Sequence, residues 1–171
     1  MKALIAAHAA DHAQLVSAVR QVVRKRLPTA FEIVYEYRSW IVISYSPSDN
    51  GHDGVLALRA DVDVVKFYFN RGKDLPDTER MLKGKGGLVR FIEVETAATL
   101  GLPAVKALIE EAIARSVKPF AVAGRGSVII RSAATKKTVA KTTTKTTTKT
   151  TKVSNVGRPA SPRAQKKSSR R

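Results

Sequence analysis

The chain has 171 residues, no cysteine, and 31 Lys and Arg against 14 Asp and Glu, a net charge of +17. The lack of cysteine excludes disulfides, thiolate zinc sites and cysteine nucleophiles, and fits a reducing compartment. Twelve of the cations and none of the acids fall in residues 133–171, so residues 1–132 keep 19 cations against 14 acids: a mildly basic domain, long enough for one hydrophobic core, carries a strongly basic arm.

The opening Lys2-Ala3-Leu4-Ile5-Ala6-Ala7 hints at a signal peptide, but its apolar stretch is broken at His8 and Asp11. It is too short for a signal peptide and reads as a leader into the first helix. Across residues 11–27, Leu15, Val19, Val22, Val23 and Leu27 recur near helical spacing, with Gln14, Arg20, Gln21, Arg24 and Lys25 opposite them. That pattern predicts an amphipathic helix, which Pro28 ends. Residues 31–37 alternate, with Phe31, Ile33, Tyr35 and Tyr37 on one side and Glu32, Glu36 and Arg38 on the other, as in a half-buried strand. A tight turn at Arg38-Ser39 leads to a second strand at 40–46. The turn-rich run 46–54 leads to a third at 55–60, and a turn at 61–63 to a fourth at 64–69. Such short connections imply an antiparallel meander.

A short helix is predicted at 76–82, followed by a glycine cluster and a strand at 89–94. Pro103 suits a first helical position, and Val105, Leu108, Ile109, Ala112 and Ile113 repeat at helical spacing behind it. Residues 127–131 read as a last edge strand. The expected fold is α+β: an antiparallel sheet with two main helices packed on one face, followed by a disordered tail. No run approaches the roughly 20 apolar residues that span a bilayer, which points to the cytoplasm and, given the arm, the nucleoid.

Catalytic chemistry finds no motif. His8 and His12 are four apart with Asp11 beside them, but a stable metal site needs three or four ligands; His52 stands alone in a turn. Asp49, Asn50, Asp53, Asp61 and Asp63 lack the register of a calcium loop and read as turn formers. No metal ligand, catalytic residue or cofactor is assigned. Two features of residues 1–132 suit a phosphate or a base. Gly84, Gly86 and Gly87 are interleaved with Lys83 and Lys85 and followed by Arg90, a loop able to cradle phosphate through backbone N–H groups and cations, with Lys83, Lys85, Gly86, Gly87 and Arg90 as candidates. Trp40, Arg59, Lys66 and Tyr68 fall on strands in positions that can share one face, the arrangement by which sheets stack bases.

In the arm, Lys137, Lys141, Lys145 and Lys149 recur every fourth residue among threonines. Threonine is a poor helix former and like charges at that spacing repel, so the free arm is expected to be disordered and to bind DNA or RNA by counterion release. The phosphate contacts are assigned to Lys137, Lys141, Lys145, Lys149, Lys152, Arg158, Arg163, Lys166, Lys167, Arg170 and Arg171. The alternative is a small ligand or metal ion bound by residues 1–132, with the arm incidental.

The phrases Phe31-Glu32-Ile33-Val34-Tyr35, Tyr45-Ser46-Pro47, Val65-Lys66-Phe67-Tyr68-Phe69, residues 82–90 and residues 102–109 resemble the YdhG-like family of bacterial domains of unknown function, which shares its broad fold with frataxin. The resemblance covers residues 11–132. It implies a helix–sheet–helix sandwich and no settled activity. Frataxin relatives are associated with iron on an acidic ridge of the first helix. Here that helix has Asp11 as its one acid and carries Arg20, Arg24, Lys25 and Arg26, so no iron ligand is carried over. The arm resembles the lysine-rich tails of bacterial histone-like proteins, and Gly157-Arg158-Pro159 matches the core of the AT-hook with Val156 in place of the usual preceding Arg.

Overall fold

In the computed structural model, which describes residues 1–132, the chain starts with a helix that the sequence reading did not separate. Ile5 and Ala9, four residues apart, are both buried, so Lys2–His8 forms a helix of its own, α1, in place of a leader. The chain turns at Ala9, whose carbonyl accepts from the His12 N–H, and α2 runs over Ala13–Arg26. Val16, Val19 and Val23 form its buried stripe, and Leu27, ahead of Pro28, leaves helical geometry as expected.

Strands β1 (Phe31–Glu36), β2 (Ile41–Ser46), β3 (Leu56–Ala60), β4 (Val65–Phe69) and β5 (Arg90–Glu93) pair in sequence as an antiparallel meander. Tyr37 donates its N–H to the Trp40 carbonyl, closing the predicted two-residue turn at Arg38-Ser39. Helix α3 (Pro103–Ala114) follows, and β6 (Val128–Ser132) then returns to the far edge. The sheet order is β5-β4-β3-β2-β1-β6, with β6 parallel to β1. The all-antiparallel expectation is thereby corrected: the fold is α+β with a mixed six-stranded sheet and three helices. A parallel neighbour needs a long crossover, which α3 and its flanking loops supply.

No helix forms at 76–82. Instead the Asp77 carboxylate accepts from the Met81 and Leu82 N–H groups and holds the segment as a loop, with Lys83 forming a single bridge to Phe91.

The core unites one alternation of strand residues with all three helices. Val34, Ile41, Ile43, Tyr45, Leu56, Leu58, Ala60, Val65, Phe67, Phe69 and Ile92 pack with Ile5, Val16, Val19, Val23, Val105, Leu108 and Ile109. This settles the facing of β1 against the simplest reading of its alternation: Glu32, Val34 and Glu36 share the core side, while Phe31, Tyr35 and, beyond the strand, Tyr37 lie on the other. The carboxylates tolerate that side because the helices supply partners. Arg20 donates to both oxygens of Glu32 at 2.9 and 2.6 Å, Arg24 adds a bond at 3.2 Å, and His8 Nε2 lies 3.0 Å from Glu36 Oε1. Across from Glu32, burial pushes the Tyr45 phenol far above its ordinary value, and the Glu32 charge adds to the rise, so Tyr45 stays neutral.

Candidate nucleic-acid interface

Strand alternation puts the remaining side chains on the opposite face of the sheet, and the register arranges them in two rows. Paired residues carry the first row from edge to edge as Arg131, Tyr35, Val42, Arg59, Lys66 and Glu93. The second runs Ile129, Ile33, Ser44, Ala57, Tyr68 and Phe91. None of the aromatic or charged members of either row belongs to the core cluster or packs against it. The face is not uniformly open. The 46–54 loop folds back over part of it, bringing Gly51 against the Tyr35 hydroxyl and Gly54 against Ser44, and Ile33, Ser44 and Ala57 are buried.

The rest of the face is a layer of rings and cations. Tyr37 stacks on Trp40 at 5.3 Å between centroids, and the Arg59 guanidinium lies 4.6 Å from the Trp40 ring centre. Lys66 Nζ lies 4.9 Å from the Phe91 ring, which meets Tyr68 at 5.3 Å, and the Arg131 guanidinium lies 5.9 Å from the Tyr35 ring. A cation over an aromatic face is held by the ring quadrupole and keeps its charge, in contrast to one neutralised by a carboxylate. The acids on this side are paired, one of them with a cation of the layer itself: Asp61 lies 3.2 Å from the Arg59 guanidinium. Glu93 takes the Lys83 ammonium at 2.7 Å, which with its charge draws the Glu93 carboxyl below its ordinary range. Asp61 is raised by desolvation, but the N–H groups of Val64 and Asp63 and the Arg59 guanidinium outweigh that and lower it.

The four residues singled out by sequence, Trp40, Arg59, Lys66 and Tyr68, therefore share one face. Tyr35, Tyr37, Phe91 and Arg131 complete it and were not singled out. Phe91 was accessible through its alternation with Ile92, a core residue. Tyr35 and Arg131 were not, because their proximity depends on the parallel pairing of β1 with β6.

The glycine–lysine loop adjoins this face at its β5 edge, where a Cβ on Gly84 would touch the Phe91 ring. Its cations are largely used by the loop itself. Lys83 pairs with Glu93, and Arg90 donates to the Gly86 and Val89 carbonyls at 2.7 and 2.8 Å. Among the described residues Lys85 makes no ion pair and is exposed, whereas Gly86 and Gly87 supply the bend. A phosphate here would meet one unengaged lysine. A hollow of about 380 Å³ on the α2 side is lined by Arg24, Lys25, Pro28, Gly124 and Arg125 and by no acid.

The other candidate residues are scattered. His8 ends α1 and His12 precedes α2, so they do not share a helix face. Asp53 accepts from Lys118 and Ser48, which lowers its carboxyl, and Asp61 caps its own turn, so these acids are structural here. No group of three His, Asp or Glu suited to a metal ion forms among the described residues. A cavity of about 660 Å³ opens between the 52–55 segment, the end of β4 and the end of α3, with Arg71, Arg115, Lys118 and His52 among its walls beside Asp53 and Asp74, which pair with Lys118 and Arg71. No helix among the described residues is long and apolar enough to cross a membrane. The eleven arm cations assigned to phosphate contact, from Lys137 to Arg171, lie outside the described residues. Comparison with protein-family models, with curated proteins and with solved structures gives no match.

Proposed function

We propose that this chain is a non-enzymatic nucleic-acid-associating protein of the cytoplasm or nucleoid, built on a YdhG-like, frataxin-like sheet with its two main helices on one face. The basic arm supplies most of the affinity and little sequence preference. The observation that carries this reading is the segregation of charge: twelve Lys and Arg and no acid in residues 133–171. Such a segment gains free energy by displacing the counterions condensed on a polyanion. The cation-bearing sheet face supports the same reading from the folded part.

The test is anisotropy of labelled duplex DNA and single-stranded RNA with the full chain across a salt series, repeated with the eleven assigned arm cations changed to glutamine. Each phosphate contact contributes about 0.9 to the slope of log affinity against log salt on duplex DNA, so the variant is expected to bind weakly with a much flatter slope, evenly across sequences. Salt-sensitive binding of wild-type strength by the variant would overturn the role of the arm.

The 660 Å³ cavity favours a second reading, in which the folded part holds a small ligand or metal ion and the arm is incidental. A rise in melting temperature of the full chain with a small anion such as inorganic phosphate, absent in Arg71→Gln, would support it.

A further inference from the structure

We infer that the uncovered sheet face is a stacking platform for a single strand of nucleic acid, with Tyr37, Trp40, Tyr68 and Phe91 taking bases and Arg59, Lys66 and Arg131 taking phosphates. The inference rests on the nucleic-acid reading above and names the form of ligand that the folded part selects.

Four observations carry it. The rings occupy a surface that the core does not need: the helices bury the opposite alternation, and none of these four aromatics packs against the core cluster. A sheet that exposes Tyr37 at 42% and leaves Trp40, Tyr68 and Phe91 half-buried keeps apolar ring faces near water, where a flat partner can cover them. The rings also lie beside cations: Arg59 and Lys66 are paired on β3 and β4 with Trp40 and Phe91 against them, and Arg131 stands at the β6 edge. From Trp40, ahead of β2, to Phe91 on β5 is three strand spacings of about 4.8 Å, or about 14 Å, room for the two or three bases that RNA-binding sheets stack.

Finally, Arg59 and Lys66 rest on two of these rings, Trp40 and Phe91, while Arg131 lies over Tyr35 and donates to the Asp49 carbonyl, and Arg59 also pairs with Asp61. An exposed cation–π contact is weaker than a base stacked on the same ring, so an arriving base displaces the cation, which then meets the adjacent phosphate. The geometry selects a single strand because a duplex hides its base faces in its own stack. It is indifferent to the sugar, since stacking and phosphate contacts do not read the 2′-hydroxyl.

Trp40 is the one tryptophan of the chain, so its emission reports on the platform directly. The full chain is titrated with a short oligouridine, a short oligothymidine and a mixed-sequence duplex, following Trp40 emission and the anisotropy of a label on the nucleic acid. Both single strands are expected to quench Trp40 alike, while the duplex binds through the arm without quenching. Trp40→Ala is expected to weaken single-strand binding about tenfold, Trp40→Phe to recover most of that, and neither to change duplex binding. Lys66→Gln, a surface change on the same row, is expected to give a smaller loss with the same selectivity and serves as the second variant if Trp40→Ala lowers the melting temperature.

Single-strand binding without quenching, with Trp40→Ala and Lys66→Gln at wild-type affinity, overturns the platform and leaves the nucleic-acid reading standing. Equal quenching by the duplex overturns the choice of a single strand. No binding to any of the three overturns both.

Discussion

Replacing Glu32 with alanine is expected to destabilise the fold by about 2–4 kcal/mol, the largest effect of any single polar substitution in residues 1–132. Its side chain is 3% exposed and is held by two guanidinium groups, one of them bidentate. Removing one member of a buried ion pair leaves the others without their compensating charge, which costs more than the pair itself contributes. The figure sits below the usual range for fully buried pairs because Arg20 and Arg24 remain 19% and 30% exposed and can turn part of their charge to water. Urea unfolding monitored by circular dichroism measures the loss. A triple variant with Glu32→Leu, Arg20→Met and Arg24→Met is expected to regain most of it, because apolar groups of similar volume need no partner. A loss under about 0.5 kcal/mol for Glu32→Ala, the range of ordinary surface changes, would show that the cluster is solvated and contributes nothing to the core.

Gly126→Ala is expected to cost about 1–3 kcal/mol and to loosen β6 selectively. At this position the chain passes directly against the backbone before Phe31. The Gly126 N–H donates to the Pro28 carbonyl at 2.9 Å, and a Cβ would fall 1.8 Å from the Ala30 carbonyl oxygen. The obstacle is main chain, so no rotamer change relieves it. The next bond, from the Glu32 N–H to the Ser127 carbonyl, begins the parallel ladder, and a displaced Gly126 pulls on it first. Amide hydrogen exchange is expected to accelerate along β6 and the outer edge of β1, with β3 and β4 unchanged. Gly87→Ala is the control: nothing lies within 4 Å of its Cβ, and the substitution is expected to leave exchange in β6 unaltered. Unchanged protection of β6 in Gly126→Ala would mean that the close approach relaxes without consequence.

These two residues also mark where sequence reading stops. Local pattern was enough for α2 and α3, whose apolar residues recur at helical spacing, for β1 to β4, which are short runs joined by recognisable turns, and for β5, which follows the glycine cluster. Period two likewise brought Trp40, Arg59, Lys66 and Tyr68 to one face. It did not show that Glu32 faces inward, because the compensating charges on Arg20 and Arg24 belong to a different element and look like an ordinary polar face of α2. Nor did it show the parallel pairing of β6, since nothing in Val128 to Ser132 names its partner strand. The short helix expected at 76–82 failed for a local reason: the Asp77 carboxylate satisfies the N–H groups that a helix would have used. α1 failed because seven residues are too few to show a period, and only its burial against the core reveals it.

The pairing of Glu36 with Ser132 has a consequence for how the protein is made. Strand β1 leaves the ribosome about 100 residues before the strand that covers its outer edge, an interval of about 5–20 s at ordinary rates of synthesis. Through that interval a nascent domain holding α2 and the meander would present an unpaired edge, the usual template for wrong association between chains. Glu32 and Glu36 lie on that edge strand with their charges turned toward the helices. An inward-pointing charge satisfied by its own helix cannot be matched by a passing strand, so the same cluster that holds α2 to β1 protects the unfinished sheet until its last strand arrives.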